Sequence, residues 1–120
     1  MKVTGTTLGL RRGDSDSITL ACFTDAAPPV AIPLVIGDTV YFTVKTSPYT
    51  DIKILQKIIT SFVDGKAVIP FLPIDTKMLD GKNYVYDVQV TFSDATVRTI
   101  IPPATDSVAY FNILPEVTYE

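Results

Sequence analysis

Asn83-Tyr84-Val85-Tyr86-Asp87-Val88-Gln89-Val90-Thr91-Phe92 decides the fold. Tyr84, Tyr86, Val88, Val90 and Phe92 share one side of an extended chain, with Asp87, Gln89 and Thr91 on the other. Successive side chains of a strand point to opposite faces, so this period of two reads as a strand with one buried and one open face.

The same alternation recurs on either side of it. Ser17-Ile18-Thr19-Leu20-Ala21-Cys22-Phe23-Thr24 places Ile18, Leu20 and Cys22 together, and Thr39-Val40-Tyr41-Phe42-Thr43-Val44-Lys45 places Val40, Phe42 and Val44 together. Asp64-Gly65 separates an Ile58–Phe62 run from Lys66–Phe71 and reads as a hairpin, with glycine where a positive φ is required. Ser93-Asp94 separates the Tyr84 strand from Thr96–Ile101, which Pro102-Pro103 stops. Val108–Leu114 gives a last strand before Pro115. The segment from Asp51 to Phe62 has Ile52, Leu55, Ile58, Ile59 and Phe62 at spacings that also suit an amphipathic helix. Its isoleucine content and the Asp-Gly turn that follows favour a strand. A short helical turn is expected over Ile74–Leu79, with Asp75 as a cap, Lys77 late in the turn and Gly81 as the stop.

Composition agrees with a pleated fold and narrows the chemistry. Thr, Val and Ile fill 41 of 120 positions, and these β-branched residues favour strands. A length of 120 residues suits one domain spanning 1–120, with residues 1–9 and 115–120 expected as tails, flexible or docked on a partner. The net charge of −3 offers no basic footprint for nucleic acid or an anionic membrane. Histidine is absent, which removes the usual general base and the commonest metal ligand. The single cysteine can neither close an internal disulfide nor build a thiolate-rich zinc site. Cofactors and metals are therefore not expected. The N-terminal residues carry no apolar signal core, and Val30–Ile36, the most apolar stretch, is too short to span a bilayer.

Several strands, turns every eight to twelve residues and no alternation with helices point to an all-β domain. The expectation is an immunoglobulin-like antiparallel β-sandwich of seven or eight strands, with one short helical turn before the Tyr84 strand. Tyr84 opens the candidate F strand, where such sandwiches place a tyrosine corner. Cys22 lies where antibody domains place half of their disulfide. Without a partner it should be a small buried hydrophobe.

A longer succession of residues then resembles a known family. Arg12-Gly13-Asp14, Gly37-Asp38-Thr39-Val40-Tyr41-Phe42-Thr43-Val44-Lys45, Asp64-Gly65-Lys66-Ala67, Asp75 with Leu79-Asp80-Gly81, Tyr84-Val85-Tyr86-Asp87-Val88-Gln89, Val97-Arg98-Thr99-Ile100 and Ile113-Leu114-Pro115-Glu116-Val117-Thr118 occur in that order. Together they resemble the immunoglobulin-like domain at the N-terminus of phage baseplate upper proteins, and of related tail and head-fibre proteins of phages that infect Gram-positive bacteria. The similarity runs from about Leu10 to Thr118, and the succession carries it rather than any one motif. It implies a non-enzymatic virion component that docks on other phage proteins, often in cyclic oligomers, and is made in the bacterial cytoplasm without a signal peptide. Two departures stand out. The connection from Asp25 to Leu34 is unusually apolar and proline-rich, and the chain ends at Glu120 where the larger proteins continue.

The remaining motifs are weighed against plain structural roles. Arg12-Gly13-Asp14 matches an integrin-binding tripeptide, but glycine in a turn before a strand accounts for it. Asp14 and Asp16 supply too few oxygens for calcium, which takes six to eight. Asp75, Asp80, Asp87 and Asp94 read as turn or solvent-side residues without a pocket to raise a pKa, so no enzymatic acid or base is expected. Pro28, Pro29, Val30, Ile32 and Leu34, with the outward aromatics Tyr41 and Tyr110, form the candidate interface. An apolar loop of this kind either docks on a partner or lids the core. The expected function is assembly of a tailed-phage or prophage virion, at the baseplate or tail or as a head decoration or head-fibre attachment. The alternative is a carbohydrate-binding or host-adhesion module, with Tyr41 as the test position.

Overall fold

A computed structural model describes residues 2–4, 6–24, 28–77, 79, 82–102 and 107–115. In chain order these form β1 (Lys2–Thr4), β2 (Thr7–Arg11), β3 (Asp16–Leu20), β4 (Cys22–Phe23), β5 (Ala31–Ile32), β6 (Thr39–Lys45), β7 (Leu55–Ile59), β8 (Ala67–Phe71), the helix α1 (Pro73–Lys77), β9 (Asn83–Thr91), β10 (Val97–Ile101) and β11 (Ala109–Leu114). The protein is all-β apart from α1. The 51–62 segment forms the strand Leu55–Ile59.

β9 organises the larger sheet, in which the strands run β1-β2-β11-β9-β6-β7. One edge of β9 pairs along its length with β6, Phe42 opposite Val88 and Val44 opposite Tyr86. Its other edge is shared, with β11 on the first half and β10 on the second. Two expectations are corrected here. The sheet is mixed, because β2 runs parallel to β11, Leu8 opposite Phe111 and Leu10 opposite Ile113. Residues 2–4 and 7–9 are strand rather than tail, since the alternation of β2 buries Leu8 and Leu10 in the core and the ladder to β11 fixes its backbone.

The Ser17–Thr24 run divides at Ala21. Its first part, β3, pairs with β8, while the short β4 pairs with β5 and leaves Cys22 buried in the core. The Asp64-Gly65 turn is present, with φ of 51° and 74° and mutual Val63–Lys66 backbone hydrogen bonds of 2.9 Å. Positive φ at both central residues is the geometry of a tight type I′ turn. The strands it joins nevertheless do not pair as a hairpin, because β7 continues the larger sheet and β8 leaves to join β3. The loop before β6 packs against this corner: a Cβ on Gly65 would lie 3.0 Å from Pro33 Cβ, and Leu34 N–H donates to the Gly65 carbonyl at 2.9 Å.

β8 closes over the larger sheet through Ala67, Ile69 and Phe71, whose alternation with exposed Val68 and Pro70 shows one covered face. The Phe71 ring meets Phe42 at 5.4 Å and Phe111 at 5.6 Å, and Phe42 stacks on Tyr86 at 5.0 Å. These four rings, from strands far apart in sequence, form the centre of the core. Aromatic pairs in such geometries each add about 0.5–1.5 kcal/mol beyond area burial.

α1 sits one residue earlier than expected and ends at Lys77. Asp75 acts from inside the first turn: its carboxylate accepts the Leu72 N–H at 2.7 Å, so Leu72 occupies the cap position and Asp75 reaches back to it. The same carboxylate pairs with Lys57 Nζ at 2.7 Å. Lys57 shares the inner face of edge strand β7 with Leu55 and Ile59, and an inward charge on an edge strand discourages further strand addition. The Gly81 stop lies outside the described residues.

Candidate functional site

The apolar loop before β6 divides between two roles. Leu34 is 3% exposed and belongs to the core, and Ile32 is half-buried against it. Leu34 therefore lids the core, held inward by its backbone bond to Gly65, and meets the surface only in the lining of the neighbouring recess. Pro28, Pro29 and Val30 are exposed, as are Val35 and Ile36, the latter 94% so. Val35, Ile36, Leu34 and half-buried Phe62 line a recess of about 450 Å³, and exposed Val63 follows Phe62 into the adjacent turn. This end of the molecule is an apolar tip.

Asp38 holds the tip in shape, a role that sequence reasoning missed. Its buried carboxylate accepts Val35 N–H at 2.9 Å and Ser93 N–H at 3.0 Å, clamping the loop to the β9–β10 turn. Gly37 has φ of 104°, and a Cβ there would lie 3.0 Å from Ser93 Cβ. The available signal was Gly-Asp directly before a strand, where an aspartate commonly bonds local backbone.

The second surface is the outer face of the larger sheet. β6 contributes Tyr41, Thr43 and Lys45, β7 contributes Gln56, and β9 contributes Asp87 and Gln89. The register puts Tyr41 between Ile58 and Gln89, and Thr43 between Gln56 and Asp87. Two adjoining recesses of about 190 and 380 Å³ share Thr43, Lys45 and Asp87. Pro48, Pro102 and Val108 wall the smaller, while Lys53 and Val97 border the larger. Tyr41 is half-buried at this trough, and Tyr110, 46% exposed, lies on the same sheet face opposite Val85.

The trough corrects the reading of Asp87 as a plain solvent-side residue. Burial raises its carboxyl above the ordinary 3.8, with Lys45 and Lys53 pulling the other way. Alternation gave its direction correctly, but the walls come from segments distant in sequence. Nearby amides are held: Gln56 Nε2 donates to Thr43 Oγ1 at 3.0 Å and Gln89 Nε2 to Thr99 Oγ1 at 3.3 Å.

The other singled-out residues have structural surroundings. Tyr84 is buried, with the Lys82 ammonium 5.2 Å from its ring centroid. Tyr86 donates its hydroxyl to the Thr6 carbonyl at 2.5 Å, tying β9 to the turn before β2, and burial pushes its phenol up to about 12. Arg12 donates from Nε and Nη2 to the Lys77 carbonyl at 2.8 and 2.6 Å, and Gly13 N–H donates to buried Thr76 Oγ1 at 2.9 Å. With φ of 84° at Gly13, the Arg12-Gly13-Asp14 segment is a turn docked on α1. Asp16 accepts the Ser17 N–H, and Asp94 accepts both the N–H and hydroxyl of Thr96. Among the described residues, no three His, Cys, Asp or Glu side chains are grouped to hold a metal.

No family model matches the chain, and no curated protein matches it either.

Proposed function

We propose that this chain is an immunoglobulin-like β-sandwich acting as a non-enzymatic structural component of a tailed-phage or prophage virion. It docks on other virion proteins, at the baseplate or tail or in head decoration or head-fibre attachment. The sandwich reading is supported by β3 and β8 covering a sheet in which β6, β9 and β11 would stand as strands C, F and G. Parallel β2 beside β11 extends that sheet in the same order.

The observation that carries the docking reading is the apolar tip. Ile36 is almost wholly exposed beside exposed Val35 and Val63, yet the loop beneath is pinned by Asp38, Leu34 and Gly65. A rigid apolar projection loses little conformational freedom on binding, which favours protein–protein contact. The inward Lys57 argues that docking uses this tip rather than strand addition at β7.

The test is light scattering of the full chain, alone and mixed with purified capsid, tail and baseplate proteins of the phage or prophage that encodes it. The expected result is a defined oligomer or complex that Ile36→Asp abolishes while the melting temperature stays unchanged. A chain that remains monomeric and binds none of them sinks the proposal.

A further inference from the structure

The trough on the outer sheet face shares no lining residue with the apolar tip and differs from it in chemistry. We propose that this trough, floored by Thr43, Gln56, Asp87 and Gln89 and bordered by Tyr41, is a binding site for a neutral oligosaccharide. This goes beyond the docking reading and does not rest on it.

Hydrogen-bonding capacity makes the first argument. The backbone groups of β6 and β9 are committed to the ladder between these strands, so the trough recognises a ligand mainly through side chains. Gln56 and Gln89 each spend an amide N–H on a threonine hydroxyl, which fixes their planes and leaves both carbonyl oxygens as acceptors. Asp87 adds a half-buried carboxylate that no described residue hydrogen-bonds, across Thr43 from Gln56 and two residues before Gln89 on β9. Its carboxyl is raised by burial, a cost that a bound donor would offset. Oriented acceptors with Lys45 and Lys53 ammonium donors at the border match the closely spaced hydroxyls of a sugar ring.

Charge and shape narrow the class. A carboxylate at the junction of the two recesses opposes an anionic ligand, and two lysines flanking it oppose a cation. A neutral, hydroxyl-rich molecule satisfies both. Tyr41 supplies an aromatic ring at one border, and Pro48 and Val108 an apolar wall at the other, suited to the C–H faces of successive rings. The larger recess, about 380 Å³, falls within the roughly 300–1,000 Å³ of small-ligand pockets, and the smaller extends it. A ligand spanning both is therefore an oligomer rather than a single sugar.

The experiment uses the isotope-labelled full chain titrated with neutral gluco-, galacto- and manno-tetraoses, followed by amide NMR. Sialylated and phosphorylated oligosaccharides form a second arm. The expected result is saturable shifts with at least one neutral tetraose, confined to residues around Thr43, Lys45, Gln56, Asp87 and Gln89. Asp87→Asn and Tyr41→Ala should each weaken that binding by about tenfold, with Ile36→Asp binding as the unaltered chain does. Gln89→Ala, at a half-buried position of the floor whose one side-chain bond runs to Thr99, should weaken the same binding while the melting temperature stays near that of the unaltered chain, and unchanged affinity in it would count against the proposed floor. No saturable shift with any neutral tetraose, shifts centred elsewhere, or binding confined to the acidic arm overturns the proposal. Because Ile36→Asp probes only the tip, failure here and failure of the docking reading are distinguishable.

Discussion

β6 and β9 carry two surfaces on the same backbone. Val40, Phe42 and Val44 with Tyr84, Tyr86, Val88 and Val90 face inward and are buried, whereas Tyr41 and Lys45 with Val85, Asp87, Gln89 and Thr91 face outward and are half-buried. Thr43, on the outward side, is itself buried by what stands over it. The inner surface is closed by β8 through the apolar side chains Ala67, Ile69 and Phe71, and the outer is fringed by loops and keeps polar groups at its floor. One face thus carries stability, and the other is free to carry recognition. A one-residue register slip would exchange the two sets, so the apolar face also fixes which residues reach the trough.

The sharpest way to break this division is Phe42→Ala. Phe42 touches Phe71, Tyr86 and Phe111 at ring distances of 5.4, 5.0 and 5.9 Å, so truncation opens a cavity among the three. The expected cost is about 3–5 kcal/mol in denaturant unfolding. A loss below about 1 kcal/mol would show that the ring cluster is not the centre of the core.

Tyr86→Phe keeps the ring and removes the hydroxyl that reaches Thr6. About 0.5–1.5 kcal/mol should be lost, with the near-ultraviolet circular dichroism of the core otherwise retained. In the unaltered chain the Tyr86 phenol should resist ionisation until near pH 12, measurable by its absorbance, and titration at the ordinary tyrosine value would contradict the burial described.

Asp87→Asn tests the outer face through pH. Burial raises the folded-state carboxyl above 3.8, so folding favours the protonated form. The stability this gives is present below the unfolded value and lost as pH rises through the raised one. The variant should therefore melt higher than the unaltered chain at neutral pH, with the two curves converging as pH falls below 3.8. Melts taken across that window check it, and a constant offset at all pH values would count against a half-buried carboxyl. The smallest effect belongs to Gln89→Ala, where only the bond to Thr99 is lost. Its stability should change by less than about 0.5 kcal/mol.

Much of the inner face was legible because its signal is local. Alternation at Val40, Phe42, Val44 and at Tyr84 to Val90 names the buried side without knowledge of any partner. The turn at Asp64-Gly65 was equally plain, since positive φ demands such residues. Its strands were misassigned to each other because a turn sequence specifies a reversal and not which neighbour each strand then finds. The loop before β6 resisted for a related reason: its apolar residues look alike in sequence, and only the Gly65 contact buries Leu34 while the Asp38 clamp leaves Ile36 outside.

By itself the sequence determined an all-β chain, the positions of most strands and which side of each is apolar, because steric preference and side-chain period act between near neighbours. It also determined that histidine-based chemistry is absent. Tertiary structure alone decided the parallel β2–β11 pairing, the separation of β7 from β8, and the meeting of Asp87 with Gln56, Lys53 and Pro48. Those outcomes depend on contacts between residues far apart along the chain, and they are set by how the layers pack rather than by any segment's own preference.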